Sequence, residues 1–185
     1  MPRPVRHQYF FAVVPAPVIA RQIHSWAERT IGSQGLQEAD RLHVTLAITD
    51  HFPSPLPELA AALSHAGSEV RADPFDLTLD RRSSSARSVA LRPARAIKPL
   101  TALHGAIARA MRREGVGLRP GWRFNPHMTL AYRDDAPGAQ TVHCVGWPVR
   151  EFVLVHSLVN LHRHDILGRW PLKPLPEAQL SLFAA

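Results

Sequence analysis

Leu42-His43-Val44-Thr45-Leu46-Ala47 and Pro126-His127-Met128-Thr129-Leu130-Ala131 both read His-x-Thr-Leu-Ala, with the two histidines 84 residues apart. In a strand successive side chains point to opposite faces, so His and Thr at i and i+2 project together while Val44 or Met128 turns away. Each copy thus offers one imidazole and one hydroxyl to the same side. Two copies with matching flanks imply an internal duplication, each motif in a central strand of its half, with the halves facing each other across a cleft.

Outward from these motifs, strands and helices alternate without a Gly-rich linker. A strand at 8–14 precedes a helix at 17–31, where Val18, Ile19, Ile23, Trp26 and Ala27 recur at helical spacing and Gly32 marks the stop. Residues 42–48 alternate as a strand, and a proline turn leads to a second helix over 56–70. Strands at 75–80 and 88–92 form a hairpin around the polar tract 81–87. A third helix over 99–114 places Leu100, Leu103, Ile107, Ala110 and Met111 on one face and Arg109, Arg112 and Arg113 largely on the other. Strands follow at 127–132, 152–161 and 168–172. Residues 1–173 read as one domain and 174–185 as a Pro-containing tail.

The chain has 185 residues, 45% hydrophobic and 20% charged, which fits a globular protein and excludes fibrous and fully disordered classes. No apolar run approaches the roughly 20 residues of a membrane helix. Pro15 and Pro17 cut the apolar stretch after Arg3 and Arg6 too early for a secretory leader. The single cysteine, Cys144, can form neither an internal disulfide nor a thiolate metal cluster, so a reducing cytoplasm is the expected location. The net charge is +7, and residues 81–123 hold eleven basic residues against Glu114 alone. That segment carries +10 and the remainder −3, a polarisation suited to phosphates. Twenty of the 22 basic residues are arginine, an excess that codon bias would also produce.

Paired histidines suit metal-free cleavage of a phosphodiester. One imidazole takes a proton from the attacking oxygen and the other gives one to the leaving oxygen, which an ordinary pKa near 6.5 allows. The hydroxyls of Thr45 and Thr129 can donate to the non-bridging oxygens. The spacing does not say which histidine is acid and which is base.

With these motifs the sequence resembles the two-histidine (2H) phosphoesterases of the LigT-like group, the RNA 2′,3′-cyclic phosphodiesterases also called 2′-5′ RNA ligases. The resemblance covers Phe10-Phe11-Ala12-Val13, both motifs with Asn125 ahead of the second, and Phe152-Val153-Leu154-Val155-His156-Ser157. It implies a bilobal α+β fold of two pseudo-symmetric antiparallel sheets backed by helices around a central cleft. It also implies a monomer without cofactor or metal, acting on RNA or a nucleotide that carries a 2′,3′-cyclic phosphate and yielding the 2′-phosphate. His43 would be the proton donor, His127 the acceptor, and Thr45 and Thr129 the phosphate grips. Where many relatives carry arginine five residues after the second histidine this chain has Tyr132, which stands in as a substrate contact, while Arg133 falls on the other face. After the first motif the run Ile48-Thr49-Asp50-His51-Phe52 also departs from the family pattern.

Trp122 and Phe124, close to Arg119 and Arg123 just before the second motif, are candidates to stack a base, with core packing the competing use. His162 and His164 with Asp165 resemble a metal-ligand pair but lie beside a turn with no third ligand. No phosphate-cradling loop or dinucleotide fingerprint appears. Gln179-Leu180-Ser181-Leu182-Phe183 resembles the peptide by which bacterial proteins dock on the replicative sliding clamp, and Leu180, Leu182 and Phe183 are the pocket-filling type.

Overall fold

The computed structural model describes residues 4–173. Chain order is β1 (Arg6–Val13), α1 (Pro17–Ile31), a one-turn 3₁₀ helix (Ala39–Arg41), β2 (Val44–Phe52), α2 (Pro57–Ser68), β3 (Phe75–Ser84), β4 (Val89–Arg92), α3 (Lys98–Arg113), β5 (Met128–Ala131), β6 (Gly138–Val149), β7 (Glu151–Val159) and β8 (Arg163–Pro171). Every described pairing between strands is antiparallel, in the order β6-β3-β4-β5-β2-β1-β7-β8. The fold is α+β. Four strands lie on each side of a central seam, where β2 and β5 pair only at Val44 and Met128. The two motif strands meet at that seam, each at the inner edge of its half.

Proline starts all three helices: Pro17 and Pro57 are first residues and Pro99 a second, and no N-cap side chain bonds the first turn. The fixed φ of proline suits a position whose N–H has no partner in the helix. α1 ends at Gly32, φ +80°, and its N–H bonds Glu28 O at 2.9 Å. The inner faces of the helices join the alternate strand residues Tyr9, Phe11, Val44, Leu46, Leu91, Met128, Leu130 and Leu154 in one core that crosses the seam. The other face of the β1 half holds a small second cluster of Phe10, Ala12, Val153 and Val155.

Several elements differ from the expected ones. β6, in a stretch where no strand was expected, extends over twelve residues along β3, from Phe75–Val149 to Ser84–Gly138, and includes Gly138, Gly146 and Pro148. An edge strand tolerates a proline, and Gly146 is required because a Cβ there would lie 2.7 Å from Leu77 O. The hairpin strands reach Ser84 and Val89, leaving 85–88 as the turn, where Ser85 N–H bonds Ser88 O. β8 begins at Arg163 rather than 168. No helix among the described residues is long and apolar enough to cross a membrane. The candidate clamp peptide of Gln179, Leu180, Leu182 and Phe183 lies outside the described residues.

Candidate active site

Both motif histidines stand immediately before their strands, and the same local device holds each. His43 Nδ1 lies 2.7 Å from Arg41 O and His127 Nδ1 lies 2.7 Å from Asn125 O, the carbonyl two residues upstream in each case. A carbonyl can only accept, so each Nδ1 carries the hydrogen and donates it. The Nε2 of each neutral ring is thereby left as a free acceptor. Both residues line one cleft of about 420 Å³ with Thr45, Arg41, Arg119, Trp122, Asn125, Tyr132 and His164. Thr129 follows Met128 on the face opposite the buried core positions and is half-buried, but it is not among the residues lining the cleft.

A bulge sets the face of the first motif. Phe11 pairs with Ala47 and Ala12 with Thr45, so Leu46 and Ala47 both pack in the main core while Thr45 and Ile48 face the cleft. A second irregularity, between Gln8 and Phe10, is closed by Thr49: its hydroxyl takes the Tyr9 N–H at 3.1 Å, and its carbonyl takes Gln8 Nε2–H at 2.9 Å. The departure from the family pattern at 48–52 thus has a structural use. Phe10, on the cleft face, stacks on the His43 ring at 4.8 Å and 25°.

Loss of water around His43 is the main cause that lowers its pKa from 6.5 to about 4. Its bond to Arg41 O opposes this, while the charges of His127 and Arg41 add to it. His127 is lowered too, first by burial, against its bond to Asn125 O and with the Arg92 charge. Arg92 reaches this neighbourhood from β4, donating Nε–H to Ser83 Oγ at 2.8 Å and an Nη1–H to Asn125 Oδ1 at 2.7 Å. At neutral pH the free cleft therefore holds two neutral imidazoles, ready for a proton to arrive with a bound anion.

The aromatic candidates separate. Trp122 lines the cleft and meets His104 edge-on at 5.9 Å. Phe124 does not line it: its ring stacks flat on His104 at 4.2 Å and packs against the main core. His104 Nδ1–H donates to Leu46 O at 2.6 Å, which ties α3 to the first motif. Tyr132 is exposed at the cleft mouth, whereas Arg133 turns away and donates to Ile31 O at 2.6 Å, at the end of α1.

Arg41 and His164 are two of several cleft residues that were not legible as site residues. Arg41 carried no motif. His164, read with a turn as half of a metal pair, lies in β8 opposite Ser157, with its ring 5.3 Å from that of His43. Among the described residues no group of three or more His, Cys, Asp or Glu is placed to hold a metal ion. A larger cavity of about 990 Å³, between α1 and the 147–151 segment, contains neither motif histidine.

Solved structures share the fold that carries this cleft. E. coli LigT complexed with 3′-AMP is similar at 25% identity and a TM-score of 0.73, over 91% of this chain and 99% of that one. E. coli LigT in apo form gives 28% and 0.72 over the same shares. TT0787 of Thermus thermophilus, at 19% identity and 0.64 over 90% and 98%, shares the fold. No curated protein matches the chain. The 2′-5′ RNA ligase superfamily model matches residues 15–164, both motifs included, and the chain belongs to that superfamily, of the LigT-like two-histidine phosphoesterase type.

Proposed function

We propose that the protein hydrolyses a 2′,3′-cyclic phosphate, on an RNA end or a nucleotide, to the 2′-phosphomonoester. The matched histidine pair carries this reading: two rings on one cleft, each fixed through Nδ1 with Nε2 free. Water attacks phosphorus and gives its proton to His127 Nε2. The bond from phosphorus to O3′ breaks, and O3′ takes the proton held on His43 Nε2. One water is consumed, and the two rings exchange their roles until solvent resets them. Thr45 and Thr129 donate to the non-bridging oxygens as negative charge builds there. The donor and acceptor assignment follows the family resemblance. Burial holds His43 neutral in the free cleft, so the phosphate's negative charge is what favours its protonated form.

A nucleotide ligand is supported by E. coli LigT, whose structures include complexes with 3′-AMP, ATP and NADP+. Trp122 and Tyr132, at the rim, offer aromatic faces for a base. The test is turnover of 2′,3′-cyclic nucleotides and of RNA with cyclic ends in EDTA, with phosphorus NMR of the product. A 2′-phosphate is expected. Loss of turnover on chelation would overturn the two-histidine mechanism, and no turnover on any cyclic phosphate would favour a binding module. Clamp docking through Gln179, Leu180, Leu182 and Phe183 is a separate proposal; deletion of 179–185 is expected to abolish clamp binding and leave hydrolysis intact.

A further inference from the structure

The His43 side of the cleft holds two groups that the two-motif mechanism leaves unused. Arg41, at the end of the 3₁₀ helix, lines the cleft, and its Nε is buried without a hydrogen-bond partner among the described residues. A buried guanidinium N–H loses its water for nothing unless a ligand atom accepts from it. His164 reaches the same place from β8. Its ring stands edge-on to His43 at 5.3 Å and 74°, and edge-on to Phe10 at 5.3 Å and 76°. A β-bulge brings it there. Leu154 pairs with Gly168 but Val155 with Ile166, so the extra residue Leu167 turns the strand over. Trp170, beyond the bulge, packs on Phe152 in the main core, whereas His164 faces the cleft.

We propose that Arg41 and His164 form a second phosphate-gripping edge beside His43, Arg41 donating Nε–H and His164 a ring N–H to oxygens of a bound phosphate. This deepens the reading of the cleft as a phosphodiester site and rests on it. The ligand chemistry is a tetrahedral oxyanion whose oxygens reach past the two motif histidines. The groups facing His164 decide its charge. Burial first, then the charges of His43 and Arg41, lower its pKa to about 4, and Asp165 on its own strand opposes them. Asp165 is already engaged by Arg163 Nε at 2.8 Å. An anion between His43 and His164 supplies the missing counter-charge, so binding takes up a proton and strengthens as pH falls.

The probe is inorganic sulfate, whose charge does not change across the range used, titrated calorimetrically into the full chain near pH 6 and near pH 8. Arg41→Ala is expected to weaken binding about tenfold at both pH values, as a lost hydrogen bond to a charged group does. His164→Asn is expected to weaken it several-fold near pH 6, to change it little near pH 8, and to reduce the proton uptake seen between buffers of different ionisation enthalpy. Unchanged affinity in both variants overturns the proposal. Should either variant fold poorly, Arg41→Lys, which keeps charge but lacks Nε–H, and the His164 ring resonances of the unaltered chain replace it. Those resonances must move on adding sulfate, and their failure to do so also overturns the proposal. Hydrolysis is scored separately. Weakened sulfate binding in a chain that turns over no cyclic phosphate refutes the phosphodiesterase reading and keeps this edge, and active chains with unchanged sulfate binding do the reverse.

Discussion

His43 and His127 do their work as individual residues, and their replacement is the most direct test of that work. His43→Ala and His127→Ala are each expected to lower kcat/KM about 10²-fold or more, the usual contribution of a positioned acid or base. Thr45→Ala and Thr129→Ala each remove one hydrogen bond to a charged group, about 1.5–3 kcal/mol, and are expected to cost less. Near-full activity in either histidine variant would remove that residue from the mechanism. The pH profile has a sign that follows from burial. Both free-site pKa values lie below 6.5, His43 near 4, so the singly protonated pair is most populated in acid. We expect kcat/KM to decline as pH rises above about 6.5, and the decline of kcat to begin at higher pH because the bound phosphate raises both values. Steady-state kinetics between pH 4 and 9 check this, and a kcat/KM still rising at pH 8 would contradict it. The motif residues were legible because His-x-Thr is local chemistry. The upstream carbonyls that fix their tautomers were not, since a carbonyl leaves no mark on sequence.

Among elements, the segment ahead of the first motif ties the two halves together. Gln37 N–H bonds Leu130 O at 2.7 Å, Tyr132 N–H bonds Gly35 O at 2.9 Å, and Leu36 bridges Ala131. The approach to His43 is thus stitched to the strand that carries Thr129. Gly35 has φ +66°, and a Cβ there would run into the Tyr132 carbonyl. Gly35→Ala is expected to cost about 1–3 kcal/mol of stability through strain and clash, and to lower activity by displacing Tyr132. Denaturant unfolding and turnover measured together check it; an unchanged unfolding midpoint would show that the segment yields freely. Periodicity located α1 and α3 well, because one buried face at 3.6-residue spacing is a strong signal. β6 escaped because Pro148 is tolerated on an edge strand and Gly146 serves a close approach to β3, and both edge position and that approach are facts of topology.

For the whole molecule, the basic segment divides once folded. Arg109, Arg112 and Arg113 are exposed on α3, whose inner face is buried against the core. Arg119 and Arg41 line the cleft on the other side of the sheet, and Arg92 lies beside His127. Among the described residues, about three cations are placed to meet a strand entering the site. At about −0.7 per neutralised phosphate, the slope of log affinity against log salt for single-stranded RNA is then expected to be near −2, with longer RNA bound more tightly than a mononucleotide at low salt. Salt titration by fluorescence anisotropy checks this. A slope near zero would mark a small-molecule enzyme, and a much steeper one would bring the α3 arginines into contact.

By itself the sequence determined the strand and helix alternation, the two-motif architecture and the residue types available for proton transfer, because these depend on local periodicity and side-chain chemistry. Tertiary structure decided which further groups share the cleft. Counted back from Trp170 by twos, His164 falls on the core face; the bulge at Leu167 turns it instead toward His43. Phe124, adjacent to the motif and aromatic, was a fair candidate for stacking until packing set it on His104. A single inserted residue in one strand exchanges its two faces, and nothing in the inserted residue's identity records that it is the extra one.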